Sequence, residues 1–410
     1  MISPGRIQLL IRKKAMHFDR LEKVLLPYEK KLKSQERLRK LLGVKEVDRP
    51  TYERYITGPV KRFDSRKNAF AVMMPGNPYG HEFKERYLRR TGVDYFSKPL
   101  PQSALEPEDR LAQALSTASW RLCTDYKPET LSLTTADGHF EVTDPAWMSR
   151  IIKKVGMFFG AEMVRITRVD QRWVYQDREI PHRYAIIAVV PHQYPMNNTA
   201  PSFFSGLAVA NTYSRLKFIT TQLADFIRQL GHDAMYRETL GWDPEMLMVP
   251  MAIDAGIGEF ARTGRVMSPE FGVNMRLKAV TTDLPLQVDR PISFQAHEFC
   301  MACENCALYC PANALAFGEP TDPPDSMFNN PGYKKWYVRA DRCLFFWMTN
   351  RKKWITCGGR CIAVCPWNKP LNAFHNLVRF TAVHSPPAIK KILVWADRLV
   401  YERKKRIVEK

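Results

Sequence analysis

The apolar positions change their period along the chain, and those changes divide it. Up to about residue 50, Leu21, Val24, Leu25, Tyr28 and Leu32 recur at helical spacing among basic residues, which predicts helices lying over the surface. Residues 50–100 lose that period. Gly58-Pro59, Pro75-Gly76 and Pro78-Tyr79-Gly80 punctuate an aromatic stretch that reads as an extended, loop-rich arm. From Pro107 to Trp120 helical spacing returns, with Leu111, Leu115 and Trp120 near one face.

A more regular region follows. In Thr143-Asp144-Pro145 a capping residue precedes a first-turn proline, and the helix it opens is expected to run to about Phe159 and stop at Gly160. Met163 to Val169 alternates as a strand. Tyr184 to Val190 is continuously apolar and is stopped by Pro191, the pattern of a strand buried on both faces. Leu216, Ile219, Leu223, Phe226, Ile227 and Leu230 give Ser205–Leu230 the spacing of a long helix, with Gly231 as its left-handed cap. Residues 250–290 read as loop. Strands alternating with helices predict an α+β or α/β layer domain.

Charge adds one feature. The formal net charge is +20, concentrated at the ends: residues 1–50 carry 14 Lys/Arg against 6 Asp/Glu, and residues 390–410 carry 8 against 3. Basic ends suit an anionic membrane face, a nucleic acid or an acidic electron donor, and equally suit a solvated surface. No apolar run approaches the roughly 18–20 residues that span a bilayer. The first 44 residues lack the apolar core of a secretory signal and contain no twin-arginine pair, so a cytoplasmic protein is expected.

The cysteines carry the chemistry. Cys123 stands alone and reads as a small buried hydrophobe, whereas eight others fall between Cys300 and Cys365. Cys300-x2-Cys303-x2-Cys306-x3-Cys310-Pro311 has the spacing of a two-cluster ferredoxin, in which the fourth cysteine serves the other cluster. A second set exists in Cys343, Cys357, Cys361 and Cys365-Pro366, with three residues between Cys357 and Cys361 and 13 between Cys343 and Cys357. Crossed ligation assigns Cys300, Cys303, Cys306 and Cys365 to one 4Fe–4S cluster and Cys310, Cys343, Cys357 and Cys361 to the other. Zinc also accepts four thiolates at such spacing, but has no need of two CxxxCP endings.

Beyond the cysteines, the chain resembles the corrinoid-dependent reductive dehalogenases. The resemblance lies in Ala255-Gly256-Ile257-Gly258-Glu259, Ser268-Pro269-Glu270-Phe271-Gly272, Arg276, Thr282-Asp283-Leu284-Pro285-Leu286 and Asp289-Arg290-Pro291-Ile292, leading into Phe299-Cys300. Arg62-Phe63-Asp64, Asn68 and Phe70 extend it into the arm, so that it covers roughly residues 50–385. It implies basic helices and the arm over residues 1–130, a nitroreductase-like corrinoid-binding domain over 131–292, a ferredoxin-like two-cluster domain over 293–385 and a basic helix over 386–410.

The implied reaction replaces a carbon-bound halogen by hydrogen at the cobalt of a base-off cobalamin fed by the clusters. Tyr213, in Asn211-Thr212-Tyr213-Ser214-Arg215, matches the family's proton donor, and Arg276 matches its basic partner. Without the resemblance, Arg276 could instead pair with Glu270. Gly272, Met275 and Arg276 are the expected corrinoid contacts, and Trp347 matches a cavity wall. Phe63, Phe70, Met73 and Met74 could line the channel, and Asp243 stands near a third polar position. The chain has no Asp-x-His-x-x-Gly motif, which argues against histidine on the lower face of the corrin. The implied partners are an organohalide and an external donor such as ferredoxin or flavodoxin. No nucleic acid is expected, and the basic termini suit peripheral membrane contact. Two other readings share the pattern: an epoxyqueuosine reductase-like enzyme acting on tRNA, and a non-catalytic electron carrier.

Overall fold

Capping and helix-stop signals in the middle of the chain act as the sequence predicts. The structure, a computed structural model, describes residues 4–74, 76–91, 106–125, 134–239, 244–350 and 359–408, with backbone alone for 4–19, 91 and 401–408. Asp144 accepts hydrogen bonds from the N–H groups of Ala146 and Trp147 and opens a helix over Pro145–Phe158, which stops before Gly160 at φ +110°. Ser202 and Ser205 form a reciprocal capping box that starts the helix Phe203–Gln229, and Gly231, at φ +81°, follows its end.

Five helices carry labels below: α1 Pro4–Leu41, α2 Pro107–Thr124, α3 Pro145–Phe158, α4 Phe203–Gln229 and α5 Met248–Asp254. The main sheet comprises β1 Met163–Arg168, β2 Tyr184–Pro191, β3 Ala234–Arg237 and β4 Met275–Thr282. All neighbours are antiparallel, in the order β1-β2-β4-β3. One face carries Ile166, Ile186, Ala188 and Val190 into a core with Ile151 and Ile152 of α3 and Leu216, Ile219 and Leu223 of α4. The other carries Met163, Ile187, Val189 and Met275 into a core with α5, Trp173 and Tyr52. An antiparallel sheet buried on both faces makes this an α+β fold.

Two expectations need correction. Residues 250–290 are not a loop, since they contain α5 and the central strand β4. The strand was hidden because MRLKAVTT places polar residues where a buried strand ordinarily has apolar ones. Three of them are satisfied internally: Lys278 Nζ donates to Glu238 at 2.7 Å, Arg237 Nε to Thr281 Oγ1 at 2.6 Å, and Thr282 Oγ1 to the Asp233 carbonyl at 2.6 Å. The arm is not all loop either, because His81–Thr91 is a helix whose Phe83 and Tyr87 pack on Phe345. Along α2, the helix the sequence predicts from Pro107, Leu111 and Leu115 are exposed.

Two arginines fasten the periphery to the sheet domain. Arg62 donates to the carbonyls of Val174, Tyr175 and Arg178, pinning the arm. Arg39, near the end of α1, pairs with Glu270 at 2.6 Å and donates to the Gly256 carbonyl at 2.8 Å, with both charged side chains buried. Glu270 is therefore the partner of Arg39. Among the described residues, no helix is long and apolar enough to cross a membrane.

Removing one member of a buried ion pair leaves the other charge stranded, at about 3–5 kcal/mol. Arg39→Met should therefore destabilise the protein by about that much in chemical denaturation, and the double variant Arg39→Met/Glu270→Leu by clearly less. Equal losses would show that the pair is not the fastening of α1.

Candidate metal and cofactor site

The first cysteine quartet converges. Cys300 and Cys303 lie on the helix Ala296–Cys303, Cys306 lies on the next turn, and Cys365 precedes Pro366. All four are buried, and together with Arg262, Thr263 and Phe299 they line a small cavity of about 20 Å³. Burial pushes the Cys300 thiol up to about 11 and Cys303 to about 12, and raises Cys306 and Cys365 well above the ordinary thiol range. Four thiols that water cannot help ionise are poorly reactive by themselves and suit a metal centre that ligates them as thiolates. Arg262 sits beside them, donating to the Cys300 carbonyl at 3.1 and 3.2 Å and to the Ala316 carbonyl at 2.8 Å. Its charge would offset that of an anionic cluster.

The second quartet is present in part. Cys310 and Cys361 pack against the same small core of Cys306, Ala307 and Leu315, and the Ala314 N–H donates to Cys310 Sγ at 3.3 Å. Cys343 is partly buried on the helix Ala340–Thr349. Cys357 lies outside the described residues, as does Asp243.

The cluster segment is locked to the sheet domain by its own loop. Asn368 Oδ1 accepts from the Val273 N–H at 2.8 Å, and Trp367 Nε1 donates to the Pro269 carbonyl at 3.3 Å. Gly272 has φ +57°, and a Cβ there would overlap Asn368 Oδ1. Close packing thus accounts for glycine at 272.

Tyr213 and Arg276 are brought together. Tyr213 lies on α4 and Arg276 is the second residue of β4; the guanidinium carbon stands 5.2 Å from the centre of the Tyr213 ring. Trp120 of α2 stacks on the same tyrosine at 6.2 Å. Beneath them lies His192, just past the end of β2, with Nδ1 3.0 Å from Thr212 Oγ1. Burial, together with the charges of Arg276 and Arg265, drives its pKa well down, so the imidazole is neutral. Among the described residues, His192 Nε2, Asn197 Oδ1 and Asn274 Oδ1 are buried polar atoms with no hydrogen-bond partner. Such atoms are rare in folded proteins and mark a place for a ligand or water. His192 and Asn274 flank the strand ends where Met275 and Arg276 begin β4.

A larger cavity of about 380 Å³ lies between the arm, α5 and residues 328–340, within the size range of cofactor sites. Phe63, Asn68 and Phe70 of the arm line it, with Trp173, Tyr175, Met248 and Val249. Met275 packs in the core that includes Met248, Val249 and Trp173, and Trp347 contacts Phe70 at 5.4 Å. Arg276 alternates to the opposite face of β4. Met73 packs with the helix Ala340–Thr349, and Met74 is exposed. The sequence reading overlooked His192, Asn274 and most of this lining. A polar residue immediately after a buried apolar strand was the available signal for His192.

Residues 299–369 match the family model described as a 4Fe-4S dicluster domain, so this segment is an iron–sulfur module. Over 284 residues the chain is 31% identical to a tetrachloroethene reductive dehalogenase of Desulfitobacterium hafniense, a match covering 56% of this chain and 50% of that protein. A solved reductive dehalogenase, studied for B12-dependent dehalogenation, superposes with a TM-score of 0.66 at 23% identity, covering 88% of this chain and 49% of the other. Epoxyqueuosine reductase of Atelocyanobacterium thalassa is 29% identical over 126 residues, covering 31% of this chain and 39% of that protein. The chain is thus a homologue of reductive dehalogenases, with epoxyqueuosine reductase a more distant relative, and it spans about half the length of the dehalogenases it matches.

Cys365→Ser removes a ligand from the first quartet while leaving the second intact. Iron should fall from about eight to about four per chain, with the loss of one cluster signal. Unchanged iron would remove Cys365 from the ligand set.

Proposed function

We propose that the chain catalyses reductive dehalogenation, replacing the halogen of an organohalide by hydrogen. The observation that carries this reading is the Tyr213–Arg276 pair: a phenol under a guanidinium, beside a neutral histidine, at the sheet ends nearest the cluster module. On this reading residues 131–292 are the nitroreductase-like corrinoid-binding domain. The cofactor would be a cobalamin, held by Gly272, Met275 and Arg276 at the start of β4. When bound, it would supply the cobalt that cleaves the carbon–halogen bond.

The chain's own residues then have separate tasks. The two cysteine sets would hold 4Fe–4S clusters, which would supply single electrons. Tyr213 holds the proton that the reduced carbon takes up, and Arg276 favours the resulting phenolate and the departing halide. Neutral His192 accepts or donates a hydrogen bond without adding a charge of its own. Met248, Val249, Trp173 and Phe70 give an apolar wall that excludes water. Gly272 and Met275 would contact the corrinoid, and Trp347 backs the cavity through Phe70. The electron donor is an external acidic protein such as ferredoxin or flavodoxin, which the +20 charge suits.

Anaerobic reconstitution with cobalamin, followed by metal analysis and a panel of aryl and alkyl halides, tests the reading. Wild type should hold about one cobalt and release halide, and Tyr213→Phe should lose halide release by about 100-fold or more at unchanged cobalt and iron. Unchanged turnover in Tyr213→Phe would remove the tyrosine. Iron without cobalt retention would remove the enzyme reading.

A further inference from the structure

The 380 Å³ cavity has a single charged residue among its described lining, and that residue has no counter-ion there. Lys335 lies on the segment that closes the cavity opposite the arm. Its backbone is fixed by reciprocal hydrogen bonds with Thr321, at 3.0 and 3.1 Å. Its Nζ stands 5.4 Å from the ring centre of Tyr333 and 5.1 Å from that of Tyr337. No hydrogen bond or ion pair joins Nζ to another described residue. The acid that influences it most, Asp322, is engaged elsewhere: it accepts from Tyr337 Oη at 2.9 Å, from the Gly332 N–H at 3.3 Å and from Thr57 Oγ1.

The other polar groups of the cavity have already committed donors to the protein. Asn68 Nδ2 donates to Tyr175 Oη, Asn329 Nδ2 to Ser326 and the Val338 carbonyl, and Asn330 Nδ2 to the Lys61 carbonyl. Burial lowers the Lys335 pKa to about 8, which still leaves it cationic at neutral pH. Lys335 is half-buried over two aromatic faces in a largely apolar space, and its donors, unspent on the described residues, are free to take an anionic ligand in place of water.

We propose that Lys335 is the anion anchor of this cavity, binding a phosphodiester or carboxylate oxygen of the molecule that occupies it. The proposal rests on the cavity being the cofactor or substrate space of the function proposed above. A phosphodiester would come from the nucleotide tail of cobalamin, and a carboxylate from an anionic organohalide. Either would gain a charge-assisted hydrogen bond from Nζ in a setting where water competes poorly.

Anaerobic equilibrium binding to the cluster-loaded full chain distinguishes these sources. The probes are cobalamin, cobinamide (the same corrin without the phosphodiester-linked tail) and a halogenated benzoate, read by absorbance or by quenching of Trp173 and Trp336 at the cavity wall. Lys335→Gln should weaken binding of one anionic probe by about tenfold or more, leaving cobinamide unchanged. Lys335→Arg should preserve that affinity to within about threefold. Weakened cobalamin binding identifies the phosphodiester; weakened benzoate binding with cobalamin intact identifies the carboxylate. Equal affinities of Lys335→Gln and wild type for both anionic probes would overturn the proposal, as would an equal loss of cobinamide binding. If wild type bound neither corrinoid, the dehalogenase reading would fall. The benzoate arm would then decide Lys335 alone, and absence of benzoate binding as well would overturn the anchor too.

Discussion

The Asn368 carboxamide accepts the Val273 N–H and donates to the Ile362 carbonyl, and so ties the loop after Cys365 to the loop before β4. Four features meet at this junction. Cys365 closes the first quartet, Trp367 packs on Phe294 and Phe299, Gly272 fits beneath the Asn368 side chain, and Arg276 begins its run along the strand. A shift in this contact would move the cysteines relative to the Tyr213–Arg276 pair. Electron transfer is steeply sensitive to such distances, so a rigid, side-chain-specified junction is what a cluster feeding a neighbouring centre requires.

Electrostatics around this junction follow one pattern. The buried cations Arg39, Arg262 and Lys278 are held by acids or carbonyls, and each fixes architecture. Arg276 stacks on a phenol, and Lys335 lies over two more. Placing cations against aromatic faces lets positive charge sit in a largely apolar space. His192, held neutral between Arg276 and Arg265, adds hydrogen-bonding capacity there without further charge. Such a space favours anions that appear as a reaction proceeds and disfavours water.

Much of this was legible from residues alone. Asp144, Gly160 and Gly231 mark helix ends by local backbone chemistry that tertiary contacts did not override. Spacing brought together Cys300, Cys303 and Cys306, and the proline after Cys365 pointed to its place in the same quartet. β4 was illegible because its polar residues are satisfied by partners distant in sequence, such as Glu238 for Lys278 and Asp233 for Thr282. Lys335 and the cavity were illegible for a related reason. A lysine beside two tyrosines reads as surface until residues 60–70, 173–175 and 247–253 are folded around it. Glu270 shows the converse: its position beside Arg276 in sequence invited a pairing that Arg39 makes instead.

The central claim is that the cysteine sets form an electron path to a corrinoid held by this chain. The most direct measurement is electron paramagnetic resonance of anaerobically reconstituted, cobalamin-loaded protein during stepwise reduction. The account predicts two cluster signals, together with a base-off cobalt signal whose intensity changes as the clusters are reduced. Clusters that reduce fully while the cobalt signal stays that of free cobalamin would contradict it.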